Sequence, residues 1–600
     1  MSTRVKRART SERRRTPPRS FVKVLFQPAG IRVRVPAGTD IASAARRAGI
    51  AVGGVCGGAG TCGRCRVLVV KGRKRRPALA CALRPEEPIT VEVTAETEAG
   101  AAQILTEGVY VQVEPRPDAR LIVEGERAQL AFGAEPGRPL RRRPSGMYGV
   151  ALDLGTTTLV ASLFDLASGK RLAVASSLDP QVPLGEDVVS RINFALAGRE
   201  AEGRLRSLLV SELNRLIGKA ARKAGASAGD VFEVVAVGNT FMHHSFLGLP
   251  LKSLAEAPYA PAASVERRLA AGETGLRMNR LGRAFLPPVM AGFLGSDALA
   301  GALAAGLDRA KEPTLYIDLG TNGELILAAG GKVLGATTAA GPAFEGAQIE
   351  CGMRAAAGAI SAVRLVEKAQ GARRRAQGAG AQGVRDKEGG FGGRRMEGNK
   401  VVSSLAPRAL RLAPSHRLEI ETIGGAPPRG IAGSGLVDVV AALLDAGALD
   451  RRGNLSLAHP LVSQGPSGKY VVLAARPRRV HLSQSDIRSL QLAKAAVAAG
   501  TDVLLDNAGI TGEEIERVLL AGAFGNYLDR RSAMRIGLLP PVELGKVLGL
   551  GNAASTGAGM MLVSTDERRR ALELAKRIEY IELAGNDRFR ELFVDCLAFP

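Results

Sequence analysis

Hydrophobic and polar positions alternate soon after the start of the chain. The run FVKVLF from Phe21, a turn at Pro28 to Gly30 and a second alternating run, IRVRVP, predict a β-hairpin. In DIASAARRA, Asp40 stands at an N-cap position and Ile41, Ala44, Ala45 and Ala48 recur at helical spacing, which predicts a short helix. A Gly- and Cys-rich loop follows, then the strand-like CRVLVV and a last strand, Ile89 to Val93. Together these predict an α+β unit over residues 21–95. Residues 96–146 carry the strand-like runs VYVQVEP and ARLIVEG and end in RPLRRRPSG, a linker or small intermediate domain. From residue 147 to 600 the pattern becomes apolar strand, Gly/Thr-rich turn, strand and Ala/Leu-rich helix, repeated, which predicts a large α/β domain. An insertion at about 369–400, with the Gly/Arg-rich core Gly371 to Gly398, interrupts it. That composition cannot pack a core and predicts disorder, as does the basic tail 1–20.

Composition narrows the class. At 46% hydrophobic and 23% charged, the 600 residues suit a soluble multidomain protein. No apolar run reaches the roughly 18 residues needed to span a bilayer. Pro17-Pro18 follow the early arginines where a secretory signal needs an apolar stretch, so the expected location is cytoplasmic, with no membrane association. The net charge of +24 invites a nucleic-acid reading. Most of it, however, sits in residues 1–20, 71–76, 138–143 and 369–400, with almost no aromatic side chain for a base to stack on. No nucleic-acid partner is expected; the basic loops suit an acidic protein instead.

Four of the six cysteines, Cys56, Cys62, Cys65 and Cys81, lie in CGGAGTCGRC and the later LACAL. In a reducing compartment such a group holds metal more readily than disulfides. The intervening glycines let backbone N–H groups curl toward sulfide. A structural zinc site ordinarily takes two C-x2-C knuckles, and only one is present. Five residues separate Cys56 from Cys62, one more than in the plant-type spacing. On a hairpin, helix and strand frame this arrangement resembles the [2Fe-2S] ferredoxins of the β-grasp fold, particularly the bacterial and adrenodoxin-like ones. The resemblance implies a [2Fe-2S] one-electron carrier on those four ligands. Cys351 and Cys596 lie far from the loop and read as buried structural thiols.

Tyr148 to Asp165, YGVALDLGTTTLVASLFD, is an apolar strand with Asp153 near its end, a turn of Gly155, Thr156, Thr157 and Thr158, and a second strand. Exposed N–H groups and hydroxyls at such a turn suit phosphate oxygens, and a strand-end aspartate can orient Mg2+ through water. Leu315 to Ala328, LYIDLGTNGELILA, nearly repeats it with Asp318, Gly320, Thr321, Asn322 and Gly323. Two such hairpins suggest duplicated lobes facing across a cleft. Val518 to Asp529, VLLAGAFGNYLD, runs a strand into Gly522 and Gly525, where a nucleobase or ribose can approach closely. No Walker lysine follows any of these turns.

This trio resembles the actin, sugar kinase and Hsp70 superfamily of ATPases. More narrowly, ALDLGTTT, VGNTFMHH, IDLGTNGEL, AAGPAFEGA, IAGSGLVD, DIRSLQLAK and LAGAFGNYLD in this order, behind a ferredoxin module, are similar to the ATP-dependent reductive activators of corrinoid proteins. The implied fold is multidomain: an α+β β-grasp ferredoxin domain followed by a two-lobed α/β actin-like ATPase domain. The segment 96–146 looks shorter than that family's intermediate domain, and the insertion is extra. The resemblance implies Asp153 and Asp318 as catalytic, and Gly155, Thr156, Thr157, Thr158, Gly320, Thr321, Asn322, Gly323, Gly433, Gly435, Gly522 and Gly525 as the binding loops for ATP and Mg2+. Gly433-Ser434-Gly435 is equally readable as a hinge or a helix-entry loop. His243 and His244 read as structural. Asp187 and Asp297 read as supports for a catalytic water or as helix caps, and Thr337 or Thr338 as a contact to a partner's cobalt centre.

A one-electron carrier joined to an ATPase implies a transfer that is uphill or gated. Each 59 mV of one-electron driving force is a tenfold change in equilibrium, about 1.4 kcal/mol, so ATP turnover is able to offset roughly a few hundred millivolts. Family resemblance identifies the step as Co(II) to Co(I) in a corrinoid protein of a methyltransferase system, with a small electron donor protein or reductant supplying the cluster and a homodimer left open. The alternative is a metabolite kinase of the same superfamily with an appended ferredoxin redox sensor.

Overall fold

The computed structural model describes residues 21–27, 30–48, 65–72, 74–93, 111, 113–124, 127–320, 322–367 and 416–600. The tail 1–20, the insertion 369–400, Cys56, Cys62 and Thr321 lie outside the described residues.

Period-two patterning builds the first unit. Val22, Val24 and Phe26 of the strand Phe21–Gln27 point into the core, and Phe21, Lys23 and Gln27 point out. This strand pairs antiparallel with Ile31–Pro36 and parallel with Ile89–Glu92. The five-stranded sheet runs Ile31–Pro36, Phe21–Gln27, Ile89–Glu92, Arg66–Lys71, Lys74–Leu79. Asp40 caps the helix Ile41–Arg47, its carboxylate accepting from the Ser43 N–H and hydroxyl, each at 2.8 Å. Ile41, Ala44 and Ala45 then close the core over the sheet, together with Cys65 and Cys81.

The alternation at 109–115 does not become a strand among the described residues. Val111 and Val113 instead pack on an apolar cluster that includes Phe132, Phe232 and Met561, and the Arg116 N–H donates to the Val563 carbonyl at 2.8 Å. Arg116 forms an isolated parallel bridge with Ser564, just past helix Ala553–Val563. Beyond it, Ala119–Glu124, Arg127–Phe132 and Arg138–Pro139 form a three-stranded sheet. A buried ionic group fixes this sheet to the next domain: Glu233 accepts from the Ala119 N–H at 3.2 Å and from the Arg568 guanidinium.

Two six-stranded sheets form the lobes of the ATPase-like domain. The first runs Arg171–Leu178, Thr158–Asp165, Tyr148–Leu154, Val231–Gly238, Arg283–Leu286, Arg267–Ala270. The second runs Val547–Gly551, Arg517–Ala521, Thr314–Leu319, Gly323–Ala329, Lys332–Thr338, Ile578–Tyr580. In both, an antiparallel three-stranded meander is extended by parallel strands on the edge of its first strand. The parallel strand Val231–Gly238 is buried at every position, which explains its apolar run, broken by Glu233 alone. Helix Arg199–Lys223 covers the first sheet with Leu205, Leu209, Leu213 and Leu216, and its end charges oppose the helix dipole, with Glu200 and Glu202 first and Arg222 and Lys223 last. Helix Gln484–Ala508, started by a Ser483/Asp486 capping box, covers the second. The chain then crosses back: helix Ala553–Val563 packs on Ala151, Val235 and Ala300 of the first lobe. That return puts its N-cap, Asn552, between the lobes.

Candidate functional site

Both Gly-Thr hairpins open on one cavity of about 480 Å³ between the lobes. Asp153, Gly155, Thr156, Thr157 and Thr158 line it from the first lobe, and Asp318, Gly320, Asn322, Gly433 and Gly522 from the second. Three glycines of the expected set do not line it. Gly323 faces the Thr338 hydroxyl and Val497, and Gly525 packs on Leu520. Gly435 sits two residues past Gly433 in helix Gly433–Asp445, about 200° around its axis, and abuts the Ile360 carbonyl. These three serve packing.

The first loop is held from behind. Arg191, fully buried, pairs with Asp179 at 2.7 Å and donates to the Thr156 carbonyl. The Asp179 N–H donates to the Thr157 carbonyl at 2.9 Å. Asn239, the N-cap of helix Thr240–Leu247, donates to the Thr156 hydroxyl at 2.7 Å. With its carbonyls engaged behind it, the loop turns hydroxyls to the cavity.

Four carboxyls, Asp153, Asp297, Asp318 and Glu324, converge on the cavity floor. Burial pushes Asp153 up to about 6, against the pull of the Asn552 amide donating to it at 2.8 Å. Asp318 rises to about 6 through burial and the charge of Asp153, with the Tyr316 hydroxyl donating at 3.1 Å and opposing the shift. Asp297 rises to about 7, first through burial and then through Asp153 and Asp318, although the Ala298 N–H bonds it at 2.9 Å. Glu324 is pushed well above the usual range by burial and by Asp297 and Asp318. Proton uptake or a divalent cation relieves such mutual repulsion. Among the described residues no three ligating side chains gather tightly enough to hold a metal by themselves. Mg2+ suits such an oxygen-lined floor, because it keeps most of its water and bonds one or two carboxylates plus phosphate oxygens.

The far end is apolar and flat. Phe344 stacks on Phe524 with ring centroids 4.7 Å apart. Gly522, at φ +82°, leaves no room for a Cβ, which would meet Asp318 Oδ1 at 2.6 Å and the Leu319 carbonyl at 2.7 Å. A Cβ on Gly433 would stand 1.9 Å from the Phe344 carbonyl. Phosphate-seeking hydroxyls at one end and stacked rings at the other match a nucleoside triphosphate.

Asn239, Asp297, Glu324 and Asn552 complete this site. VGNTFMHH, IDLGTNGEL with its Glu324, and Asp297 stand out in the sequence, but nothing around Asn552 marks it. Asp187 is a helix cap, accepting from the Ser190 N–H at 2.7 Å. His243 and His244 are buried inside helix Thr240–Leu247, with His244 Nδ1 2.8 Å from the Thr240 carbonyl. Burial drives His243 down to about 3, so it stays neutral. Thr338 is buried and donates to the Gly323 carbonyl at 3.3 Å, which removes its hydroxyl from any partner's reach. Cys351 is buried and Cys596 partly so, neither near the cavity floor.

In the first unit the Cys65 and Cys81 sulfurs meet 3.2 Å apart as buried thiols not joined by a disulfide. Two thiolates on one tetrahedral metal at bonds of about 2.3 Å stand about 3.8 Å apart, so the pair needs to open by only roughly half an ångström. A soft, buried sulfur pair fits an iron–sulfur cluster.

Comparisons with known proteins agree with this architecture. Family models match residues 24–92 as a 2Fe-2S iron-sulfur cluster binding domain, 148–310 as the RACo middle region, and 312–600 as the C-terminal domain of RACo, the ASKHA domain. The corrinoid activation enzyme RamQ of Eubacterium limosum is 30% identical over 601 residues, 90% of this chain and 93% of the relative. The [Co(II) methylated amine-specific corrinoid protein] reductase of Methanosarcina barkeri is 25% identical, over 76% of this chain and 77% of the relative. A solved structure of a reductive activator for corrinoid, iron-sulfur protein superposes with a TM-score of 0.67 at 28% identity, covering 96% of this chain and 98% of that one.

Proposed function

Because the chain belongs to the family of reductive activators of corrinoid proteins, we propose that it reduces the Co(II) corrinoid of a partner protein to Co(I) in a reaction driven by ATP. The observation that carries this reading is the pairing, on one chain, of a buried thiol pair in a ferredoxin fold with a two-lobed cavity shaped for a nucleoside triphosphate. Bound by Cys56, Cys62, Cys65 and Cys81, a [2Fe-2S] cluster supplies a one-electron carrier.

The chain's own residues do the rest. Thr156, Thr157, Gly320 and Asn322 bind the phosphates through hydroxyl and backbone N–H groups. Asp153 and Asp318 would hold Mg2+, which would supply positive charge between the floor carboxyls and the phosphates. Gly433 and Gly522 admit the adenosine beside Phe344 and Phe524. Because phosphate contacts come from both lobes, bound ATP favours the closed arrangement over the open one, and hydrolysis removes that preference. A partner with different affinity for the two arrangements is thereby held for the electron's passage and then released. Basic surface loops steer an acidic partner, and a small reductant recharges the first domain.

The reading is tested by steady-state ATP hydrolysis with and without a Co(II) corrinoid protein from the same organism. Turnover rising several-fold with the partner supports it. Turnover indifferent to any such partner, with phosphoryl transfer to an added metabolite, favours a kinase instead.

A further inference from the structure

The attacking water in the cavity needs a base, and the four floor carboxyls are poorly placed for that task. Asp153 is bonded to Asn552, Asp318 to Tyr316 and Asp297 to the Ala298 N–H. With Glu324 they form the group whose repulsion a cation relieves.

A fifth carboxylate stands apart from them. Glu345 ends the short turn Pro342–Glu345 in the second lobe and lines the cavity. It reaches across the cleft, where its Oε2 accepts a hydrogen bond at 3.2 Å from the hydroxyl of Thr157, in the phosphate loop of the first lobe. The turn is rigidly seated: Phe344 is buried and stacked on Phe524, and the Phe344 carbonyl backs directly onto Gly433. Glu345 is therefore held at the point where the two phosphate-binding walls meet. The motif AAGPAFEGA, whose glutamate neither the phosphate nor the adenosine contacts use, gains a purpose from this placement.

We propose that Glu345 is the catalytic base that orients and deprotonates the water attacking the terminal phosphate. The assignment rests on reading the cavity as an ATP-hydrolysing site. The water oxygen bonds to the terminal phosphorus while the bond from that phosphorus to the bridging oxygen breaks. ADP leaves with that electron pair, and the water's proton passes to the Glu345 carboxylate and then to solvent. Because base and phosphate loop sit on different lobes, only a closed cleft brings them together, so ATP is spared until closure.

The test uses the full chain with its cluster reconstituted, measuring single-turnover hydrolysis and the affinities for Mg-ATP and Mg-ADP. Removal of a general base typically costs about a hundredfold to ten-thousandfold. Glu345→Gln is expected to lose at least about a hundredfold in rate, with both affinities within about threefold of wild type. Thr157→Val removes the hydrogen bond and a phosphate-binding hydroxyl together, so it is expected to weaken Mg-ATP binding, a loss of affinity that stands in contrast to the loss of rate expected for Glu345→Gln. The assignment is overturned if Glu345→Gln hydrolyses ATP within about threefold of wild type, or if its loss is one of affinity. Should Glu345→Gln fold poorly, Glu345→Asp serves, with a reduced rate at unchanged affinity as the supporting result and an unchanged rate as the contrary one. A wild-type chain that hydrolyses no ATP with any partner removes the ATPase reading itself, a failure separate from these.

Discussion

The cavity floor stores electrostatic strain that one substitution should release. Asp297 is raised from 3.8 to about 7, chiefly by burial and then by Asp153 and Asp318. A carboxyl whose folded-state pKa lies above its unfolded value contributes stability that is present below about 4 and lost as pH rises toward 7. At pH 8, without nucleotide or Mg2+, the charged Asp297 therefore destabilises the fold. Three pKa units at about 1.4 kcal/mol each give an upper limit of about 4 kcal/mol. Asp297 keeps some surface in the cavity, and water there screens its charge, so about 2 kcal/mol is the expected size. Asp297→Asn removes the charge and keeps an acceptor for the Ala298 N–H. It is expected to stabilise the metal-free protein by about 2 kcal/mol at pH 8 and by less than half of that at pH 5, where Asp297 is protonated in the folded chain but already ionised in the unfolded one. The chain has no Trp, so urea unfolding followed by far-ultraviolet circular dichroism in EDTA is the suitable assay. A variant no more stable than wild type at pH 8, or equally stabilised at both pH values, would refute the reasoning.

Cys81→Ser is expected to abolish the low-temperature electron paramagnetic resonance signal of the reduced cluster while leaving basal ATP hydrolysis within about twofold; a retained signal would show that Cys81 is not a ligand. Gly522→Ala places a methyl group against Asp318 and the Leu319 carbonyl at a positive φ, so it is expected to cost about 1–3 kcal/mol of stability and to weaken ATP binding at least tenfold. Calorimetric titration with Mg-ATP checks it, and unchanged affinity would contradict the tight approach described here.

Much of the site is local in sequence and therefore readable there. Each DLGT run carries its strand, its turn and its phosphate-seeking hydroxyls within about a dozen residues, and the spacing of Cys56, Cys62 and Cys65 marks a cluster loop just as locally. The duplication of the hairpins likewise points to two lobes. What stayed hidden depends on distant contacts. Asn552 touches Asp153 only because the chain crosses back to the first lobe 399 residues later. Arg191 reads as one more arginine until folding buries it behind Thr156. Gly323, Gly435 and Gly525 lie inside binding motifs but pack against the Thr338 hydroxyl, the Ile360 carbonyl and Leu520, because neighbouring residues on a strand or helix turn to other faces. Val111 and Val113 in the run at 109–115 pack on side chains far along the chain, which no pattern within the run can reveal.

The central claim is that ATP drives electron delivery to cobalt. Its most direct test is anaerobic: reduce the cluster-loaded chain, add a Co(II) corrinoid protein from the same organism, and follow the Co(I) absorbance with and without Mg-ATP. The account predicts Co(I) only when Mg-ATP is present, and none with Cys81→Ser or Asp318→Ala. Co(I) appearing equally fast without nucleotide, or in the Asp318→Ala protein, would contradict it.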